Sequence, residues 1–184
     1  MSKRIAYLAA AAFSALSLTS TFVAPARAEE KTVMVGGAAM YQSKNIIQNA
    51  VNSKDHTTLV AAVKAAGLVQ TLEGKGPFTV FAPTNTAFGK LPAGTVDTLV
   101  KPENKATLTK ILTYHVVPGK LEAADLKDGQ TLKTVEGEQL TVKREGKNVM
   151  IVDAKGGTSM VTIPNVNQSN GVIHVVDTVL MPAS

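Results

Sequence analysis

The order of the hydrophobic patterns along the chain restricts its fold more than any other feature. Between residues 46 and 113, apolar residues recur mostly at helical spacing, as at Leu59 and Val63. One short apolar run, Pro77 to Pro83, is typical of a buried strand. From residue 132 to residue 180 the pattern changes to short β-type runs separated by glycine-containing turns. Helices first and strands later, with few β-α-β alternations, predict an α+β fold rather than a doubly wound α/β sheet.

The last of these runs, Val172 to Leu180, is predicted to lie inside the sheet rather than at its edge. Apolar residues occupy both of its faces, which favours a central position. The dipeptide Asn170-Gly171 precedes it and is a strong hairpin signal. We therefore expect a hairpin with the run Met160 to Ile163, joined through residues 165–171.

The N-terminus has the layout of a secretory signal peptide. Lys3 and Arg4 give a positive start, residues 5–18 form an apolar stretch rich in small residues, and Ala26 to Ala28 fits the cleavage site. The apolar stretch is shorter than the roughly 20 residues that a membrane-spanning helix needs. We therefore predict a signal peptide at residues 1–28. After its removal we expect an exported, soluble protein without a membrane span, located in the periplasm, the cell envelope or the medium.

Length and composition limit what the mature chain can be. Subtracting 28 residues from 184 leaves 156, enough for a single domain with one sizeable core. We expect a flexible lead-in at residues 29–40 and the folded domain at residues 41–182. Three of the 19 Lys and Arg residues fall in the signal peptide, so 16 oppose 14 Asp and Glu, and the net charge falls from +5 to +2. This weak charge, without basic runs between aromatic residues, predicts no nucleic-acid partner.

The sequence contains no pattern that is typical of catalysis or metal binding. His56, His115 and His174 lie far apart, and none has a second ligand at the close spacings that zinc sites show. There is no G-x-S-x-G motif, and a chain without cysteine has neither a thiol nucleophile nor a disulfide. The glycine-containing stretches lack the spacing of a phosphate-binding or dinucleotide-binding loop. We therefore expect no enzyme activity, no metal and no cofactor.

The segment LTYHVVPG at residues 112–119 contains the most distinctive polar pair, Tyr114-His115. His115 follows apolar positions of the preceding helix by three, four and seven residues, which places it on the buried face of that helix. We predict a core histidine whose ring nitrogens are hydrogen-bonded, since an unpaired buried polar group costs about 1–3 kcal/mol. Tyr114, one position further round, is predicted to place its hydroxyl near solvent. The candidate partner-binding edge consists of Tyr114, Val116, Val117 and Pro118.

Three segments together resemble the conserved motifs of one family. They are TVFAPTNTAFGKLP at residues 79–92, LTYHVVPG at 112–119 and NGVIHVVDTVLMP at 170–182. In this order and with these separations they resemble the first box, the Tyr-His motif and the second box of fasciclin-like FAS1 domains. The resemblance covers residues 41–182 and is to a single-domain, secreted bacterial member of the family. It implies a wedge of β-strands with a packed cluster of α-helices.

The resemblance also implies roles for individual residues. Tyr114 and His115 match the Tyr-His motif, which in animal members has been linked to integrin recognition, a partner that does not transfer to a bacterial protein. Asn85 is of a residue type that caps helices, and we expect it to cap a helix turn. The remaining matches imply residues that determine the fold. Together with His115 these are Pro83, Asn85 and Phe88 in the first box, and Gly171, His174 and Asp177 in the second box.

Two functions are compatible with these observations. The resemblance implies a secreted, non-catalytic interaction or adhesion module that binds a surface, a matrix, a polysaccharide or a partner protein. The alternative is a carrier of a small ligand or polysaccharide in the cell envelope, with its site in a groove between the helices and the sheet. A single copy of the domain bridges two cells only if it has two binding faces or dimerises, and the sequence does not determine its oligomeric state.

Overall fold

The computed structural model describes residues 30–183 and confirms an α+β fold in one domain. The predicted signal peptide at residues 1–28 lies outside the described residues. No helix in the described range is long and apolar enough to cross a membrane. Short 3₁₀ turns, Lys54–His56 and Pro102–Asn104, precede the second and sixth helices. The helices and strands in chain order are β1 (Thr32–Val35), β2 (Ala38–Tyr41), α1 (Ile46–Ala50), α2 (Thr57–Ala66), α3 (Val69–Glu73), β3 (Phe78–Pro83), α4 (Asn85–Gly89), α5 (Thr95–Leu99), α6 (Lys105–Tyr114), β4 (Val116–Pro118), β5 (Thr131–Lys133), β6 (Gln139–Glu145), β7 (Asn148–Val152), β8 (Thr158–Gln168) and β9 (Gly171–Val176).

Seven of the described strands form one mixed sheet in the order β4-β3-β9-β8-β7-β6-β5. β3 and β9 run parallel, and every other neighbouring pair in this sheet is antiparallel. The two ends of the sheet approach each other where the amide of Val135, just after β5, donates to the carbonyl oxygen of Val116 in β4 over 2.8 Å. The sheet is therefore nearly closed. We call the junction of residues 116–118 with residues 131–135 the seam.

The strand β9 lies inside the sheet, as the sequence predicts. It is flanked by β3 and β8, and all six of its residues are buried. The predicted hairpin with β8 is present, but β8 continues to Gln168, so the connection is shorter than the expected stretch 165–171. Asn165, with a φ of 57°, lies where the register of the two strands shifts. Because of this irregularity, β8 includes polar residues that the sequence pattern alone assigns to a loop.

Two hydrophobic clusters stabilise the domain from the two faces of the sheet. The first, the helix-side cluster, lies between the helices and the sheet and includes Leu59, Leu112 and Ile173. The second, the sheet-interior cluster, is enclosed by the nearly closed sheet and includes Leu140 and Val176. Because the side chains of a strand alternate between its faces, β9 supplies both clusters. This double burial explains why both faces of β9 are apolar in the sequence.

The N-terminal lead-in is ordered, so the prediction of a flexible segment at residues 29–40 is wrong for its described part. β1 and β2 form an antiparallel hairpin, and its inward-facing Val35 and Met40 are buried in the helix-side cluster. The turn Gly36-Gly37 has positive φ at both residues, which glycine adopts without strain. Each strand has only four residues, too few for a clear alternating pattern in the sequence.

Candidate functional site

The helix α6 carries the Tyr-His segment to the point where the helices, the sheet and the C-terminal residues meet. Leu108, Ile111 and Leu112 form the buried stripe of α6, and the helix ends at Tyr114 with His115 as its C-cap. The chain then enters β4, which pairs with β3. The two polar side chains of the segment are therefore positioned by the end of a helix that is packed into the core.

His115 is buried and forms hydrogen bonds through both ring nitrogens. Its Nδ1 lies 2.8 Å from the Ile111 carbonyl oxygen, and its Nε2 lies 3.0 Å from the Leu180 amide nitrogen. Because an amide can only donate, Nε2 accepts and Nδ1 carries the proton, which defines the neutral tautomer. Burial lowers the pKa of His115 to about 4, although the Ile111 carbonyl and Asp153 favour the protonated form. Neither nitrogen is left for an external group.

Tyr114 is also fully buried, so the prediction that its hydroxyl lies near solvent is wrong. The hydroxyl donates to the Gln139 carbonyl oxygen over 3.1 Å and accepts from the Ala154 amide over 2.9 Å. Its ring belongs to the sheet-interior cluster. The last turn of α6 ends against the nearly closed sheet, and so the position beside the buried stripe of the helix also points into the protein. Helical periodicity contains no information about this second buried face.

The rest of the predicted partner-binding edge is mostly buried. Val116 packs in the helix-side cluster and Val117 in the sheet-interior cluster, because they point to opposite faces of β4. The prediction of an exposed edge is therefore wrong for these two residues. Pro118 is the one of the four candidates that is exposed. Across the seam, Val135 presents a side chain that is 45% exposed and that the sequence pattern did not indicate.

An aspartate that the sequence pattern places in a turn fastens the C-terminal segment next to His115. Oδ1 of Asp153 accepts from the Gly157 amide over 2.7 Å, and Oδ2 accepts from the Met181 amide over 3.0 Å. Since the Leu180 amide donates to His115, two successive amides of the C-terminal segment bind side chains from distant parts of the chain. Asp at the start of a glycine-containing turn is a known turn signal, but its bond to Met181 depends on tertiary structure.

His174, in β9, is fully buried and has the opposite tautomer from His115. Its Nδ1 accepts from the Asn165 amide over 3.3 Å, and its Nε2, 2.8 Å from the Leu121 carbonyl oxygen, therefore donates. Its ring stacks on Phe81 with the centroids 5.7 Å apart. Burial lowers the pKa of His174, although the Leu121 carbonyl opposes this effect. Both of its nitrogens hold neighbouring loops and strands together.

The other second-box residues lie at the two ends of β9. A Cβ atom at Gly171 would overlap the carbonyl oxygen of Phe78 in the paired strand β3, so only glycine fits there. Asp177 accepts from the Met160 amide over 2.9 Å, which joins the end of β9 to β8. The same carboxylate lies 3.4 Å from Nζ of Lys90 in a solvent-exposed ion pair.

Asn85, in the first box, contacts the start of a helix, but not of the helix that it begins. Thr84 is the N-cap of α4, where it accepts a hydrogen bond from a backbone amide of the first turn. Oδ1 of Asn85 instead accepts from the Thr58 amide, over 3.0 Å, in the first turn of α2, which has no side-chain cap of its own. It therefore supplies from a distance the acceptor that a local N-cap would provide. Pro83 and Phe88 are buried beside it in β3 and α4.

A small apolar cavity lies between the β1–β2 hairpin, the first helices and the sheet. Its volume is about 40 Å³, and Met40, Ile47 and Val63 are among its walls. His56 also lines it and is only 3% exposed, with Nδ1 2.9 Å from Oγ of Ser53. Nε2 of His56 is buried without a hydrogen-bond partner among the described residues. The sequence holds no signal for this site because its walls come from elements far apart in the chain.

The described residues contain no group of three or more His, Asp or Glu side chains that could hold a metal ion. His115 and His174 each bind main-chain groups through both ring nitrogens. The Tyr-His segment therefore connects α6, the turn after β7 and the C-terminal residues, and it does not present an accessible acid–base pair.

Known proteins share both sequence and fold with this chain. The family model described as the fasciclin domain matches residues 54–182. Protein sll1483 of Synechocystis sp. is 46% identical over 179 residues, which cover 97% of this chain and 95% of that protein. Immunogenic protein MPB70 of Mycobacterium bovis is 35% identical over 195 aligned residues, which cover 95% of this chain and 96% of that protein.

Among solved structures, a FAS1 domain pair from the insect cell adhesion molecule fasciclin I matches with a TM-score of 0.68. The sequence identity is 17%, and the match covers 83% of this chain and 58% of that chain. The chain therefore spans a little over half the length of the solved domain pair. At this identity the likeness concerns the fold alone.

Proposed function

The chain belongs to the fasciclin family, and we propose that it is an exported, non-catalytic interaction module that binds a partner protein or a polysaccharide at a surface. Fasciclin I, which shares its fold, is a cell adhesion molecule. The signal-peptide pattern at residues 1–28 supports a location outside the cytoplasm. The proposal therefore combines export with recognition of a surface.

The polar side chains of the motifs form their hydrogen bonds inside the protein, and this observation carries the proposal. Both ring nitrogens of His115 and of His174 bind main-chain groups, and the Tyr114 hydroxyl binds two more. A general acid or base must come within hydrogen-bond reach of its substrate. Buried groups that already bind their own chain do not meet this condition, which favours recognition through the outer surface.

We place the contact surface at the seam. Pro118 is exposed on the β4 side, and Val135 is exposed on the β5 side. The two strands are held together there by the hydrogen bond from the Val135 amide to the Val116 carbonyl. Exposed apolar side chains on paired strands are suited to binding. Few additional side chains have to be immobilised when a partner binds there, so little conformational entropy is lost.

Matched substitutions test this surface. Val135→Lys places a charge on the seam, and Met160→Lys places one on β8, where the parent side chain is similarly exposed, at 41% against 45%. Binding of the mature chain to immobilised bacterial-envelope, matrix-protein and polysaccharide preparations is measured by biolayer interferometry. We expect Val135→Lys to weaken binding by about tenfold or more, as the loss of an interface anchor does, and Met160→Lys to bind like the parent.

Unfolding curves of both variants control for stability, because both parent residues are partly buried and to a similar extent. Equal binding by Val135→Lys and the parent would contradict the placement of the surface. A mature protein that binds none of the preparations would contradict the interaction function itself.

A second function, a carrier of a small ligand, is favoured by the apolar cavity beside His56. Ligand sites are typically concave and apolar with a few placed polar groups. The cavity has this character at the junction of the helices and the sheet. Co-purification of a small molecule with the mature protein, detected by native mass spectrometry, tests this function.

A further inference from the structure

The cavity beside His56 is apolar almost throughout. Met40 of the β1–β2 hairpin, Ile47 of α1 and Val63 of α2 are among its walls, and the side chains of β3 and β9 form its floor. Three polar residues reach it, namely Ser53, His56 and His115. His115 has both nitrogens bonded, and the Ser53 hydroxyl lies 2.9 Å from Nδ1 of His56.

Nε2 of His56 takes part in none of these hydrogen bonds. It is buried and has no hydrogen-bond partner among the described residues. Burial lowers the pKa of His56, with the Ala82 carbonyl and Asp55 acting in the opposite direction, so the ring is neutral near pH 7. The Ala82 carbonyl accepts weakly from the ring, which favours its protonated form, but the contact falls outside normal hydrogen-bond geometry, so Nε2 has no full partner. An unpaired buried nitrogen costs about 1–3 kcal/mol, which a suitable partner would recover.

Water is a poor partner for this nitrogen. A volume of about 40 Å³ is large enough for water. A buried water, however, needs two to four polar partners, and the surrounding walls offer it little besides His56 Nε2. An apolar molecule with one hydroxyl can bond the same nitrogen and leaves fewer hydrogen bonds unmade than water does, because it has a single O–H donor.

We propose that this cavity binds a compact apolar molecule that carries one hydroxyl group, with the hydroxyl on Nε2 of His56. The proposal rests on the second function of the preceding section, the small-ligand carrier. A hydroxyl is the group that fits both tautomers of His56. If the Ser53 hydroxyl donates to Nδ1, Nε2 carries the proton and needs an acceptor, whereas in the other tautomer Nε2 needs a donor.

Entry of such a molecule requires the cavity to widen. Cavities that bind benzene measure about 150 Å³, several times the volume here. Met40 is the flexible wall, because its thioether side chain adopts many rotamers at low cost. The hairpin that carries Met40 pairs with no other described strand, so it can move without breaking the main sheet. The bound molecule therefore displaces the Met40 side chain and the hairpin rather than the sheet.

Phenol and toluene form a matched pair of probes, since they have the same shape and differ in the hydroxyl. Binding to the mature chain is followed by the shift of the melting temperature and by the ¹⁵N resonances of the His56 ring. We expect phenol at ten times its Kd to raise the melting temperature by about 3 °C and to move the Nε2 resonance. In His56→Phe the ratio of the toluene Kd to the phenol Kd should fall about fivefold to tenfold, the effect of one hydrogen bond.

Two substitutions at Val63 control for the space in the cavity. Val63→Ala enlarges it and should tighten phenol binding about fivefold, through added room for apolar contact, while Val63→Phe fills it and should abolish binding. Cooperative unfolding of each variant verifies that it is folded. An unchanged toluene-to-phenol ratio in His56→Phe would overturn the hydroxyl preference and leave the carrier function standing. Failure of both probes to bind the parent and Val63→Ala would overturn the inference, whereas the carrier function fails only if no small molecule co-purifies with the mature protein.

Discussion

Replacement of His115 by glutamine measures how a buried, neutral histidine stabilises this fold. Glutamine keeps a polar side chain of similar length but does not titrate. The Leu180 amide, which donates to Nε2 of His115, belongs to a residue that is 1% exposed. A glutamine amide can take the place of only one of the two ring nitrogens of His115, so either the Leu180 amide or the Ile111 carbonyl loses its partner. At pH 8, His115→Gln should therefore lower the free energy of unfolding by about 1–3 kcal/mol.

The dependence of this loss on pH is the sharper test. The pKa of His115 is lowered from 6.5 to about 4 in the folded protein. Because the folded pKa is the lower one, the stabilisation is complete above pH 6.5 and is lost as the pH falls from 6.5 through 4. The lowering of the pKa from 6.5 to about 4 corresponds to about 3 kcal/mol in the free energy of unfolding. At pH 5, about 1.5 units below the unfolded pKa, about 2 kcal/mol of this is already lost.

Urea unfolding followed by circular dichroism at pH 8 and pH 5 gives the free energies of the parent and of His115→Gln. The other two histidines, His56 and His174, are also buried with lowered pKa values, but both proteins contain them and their contributions cancel in the difference. The difference in stability should shrink by about 2 kcal/mol from pH 8 to pH 5. A difference that is the same at both pH values would refute a buried, neutral His115.

Three further substitutions, one of them a control, examine the motifs. Tyr114→Phe removes the hydroxyl that binds Gln139 and Ala154, so it should lower the free energy of unfolding by about 1–2 kcal/mol in urea unfolding while leaving partner binding unchanged; weaker binding at full stability would show that Tyr114 does reach a partner. Gly171→Ala has no room for its Cβ and should cost about 3 kcal/mol or more, or prevent folding, whereas Gly89→Ala, with no atom near the added carbon, should change the melting temperature little. Equal melting temperatures for these two alanine variants would contradict the close approach of β3 and β9.

The periodicity of the chain determined the class of the fold and the position of its central strand. Apolar residues on both faces of β9 require cover on both faces, and the structure supplies it with two clusters. The apolar stripe ahead of His115 likewise predicted that this residue is buried, because the stripe is formed by residues of a single helix. These features follow from local spacing, which a sequence displays directly.

Tertiary structure alone decided which side of the Tyr-His segment faces solvent. Tyr114 lies outside the stripe of α6, yet the nearly closed sheet covers the side to which it points. The ordered hairpin at residues 32–41, the binding of Asn85 to α2 and the cavity beside His56 have the same origin. Each of these features joins residues that are distant in the chain. The spacing of side chains within one segment shows which of its faces are apolar, but it does not show which other segment packs against them.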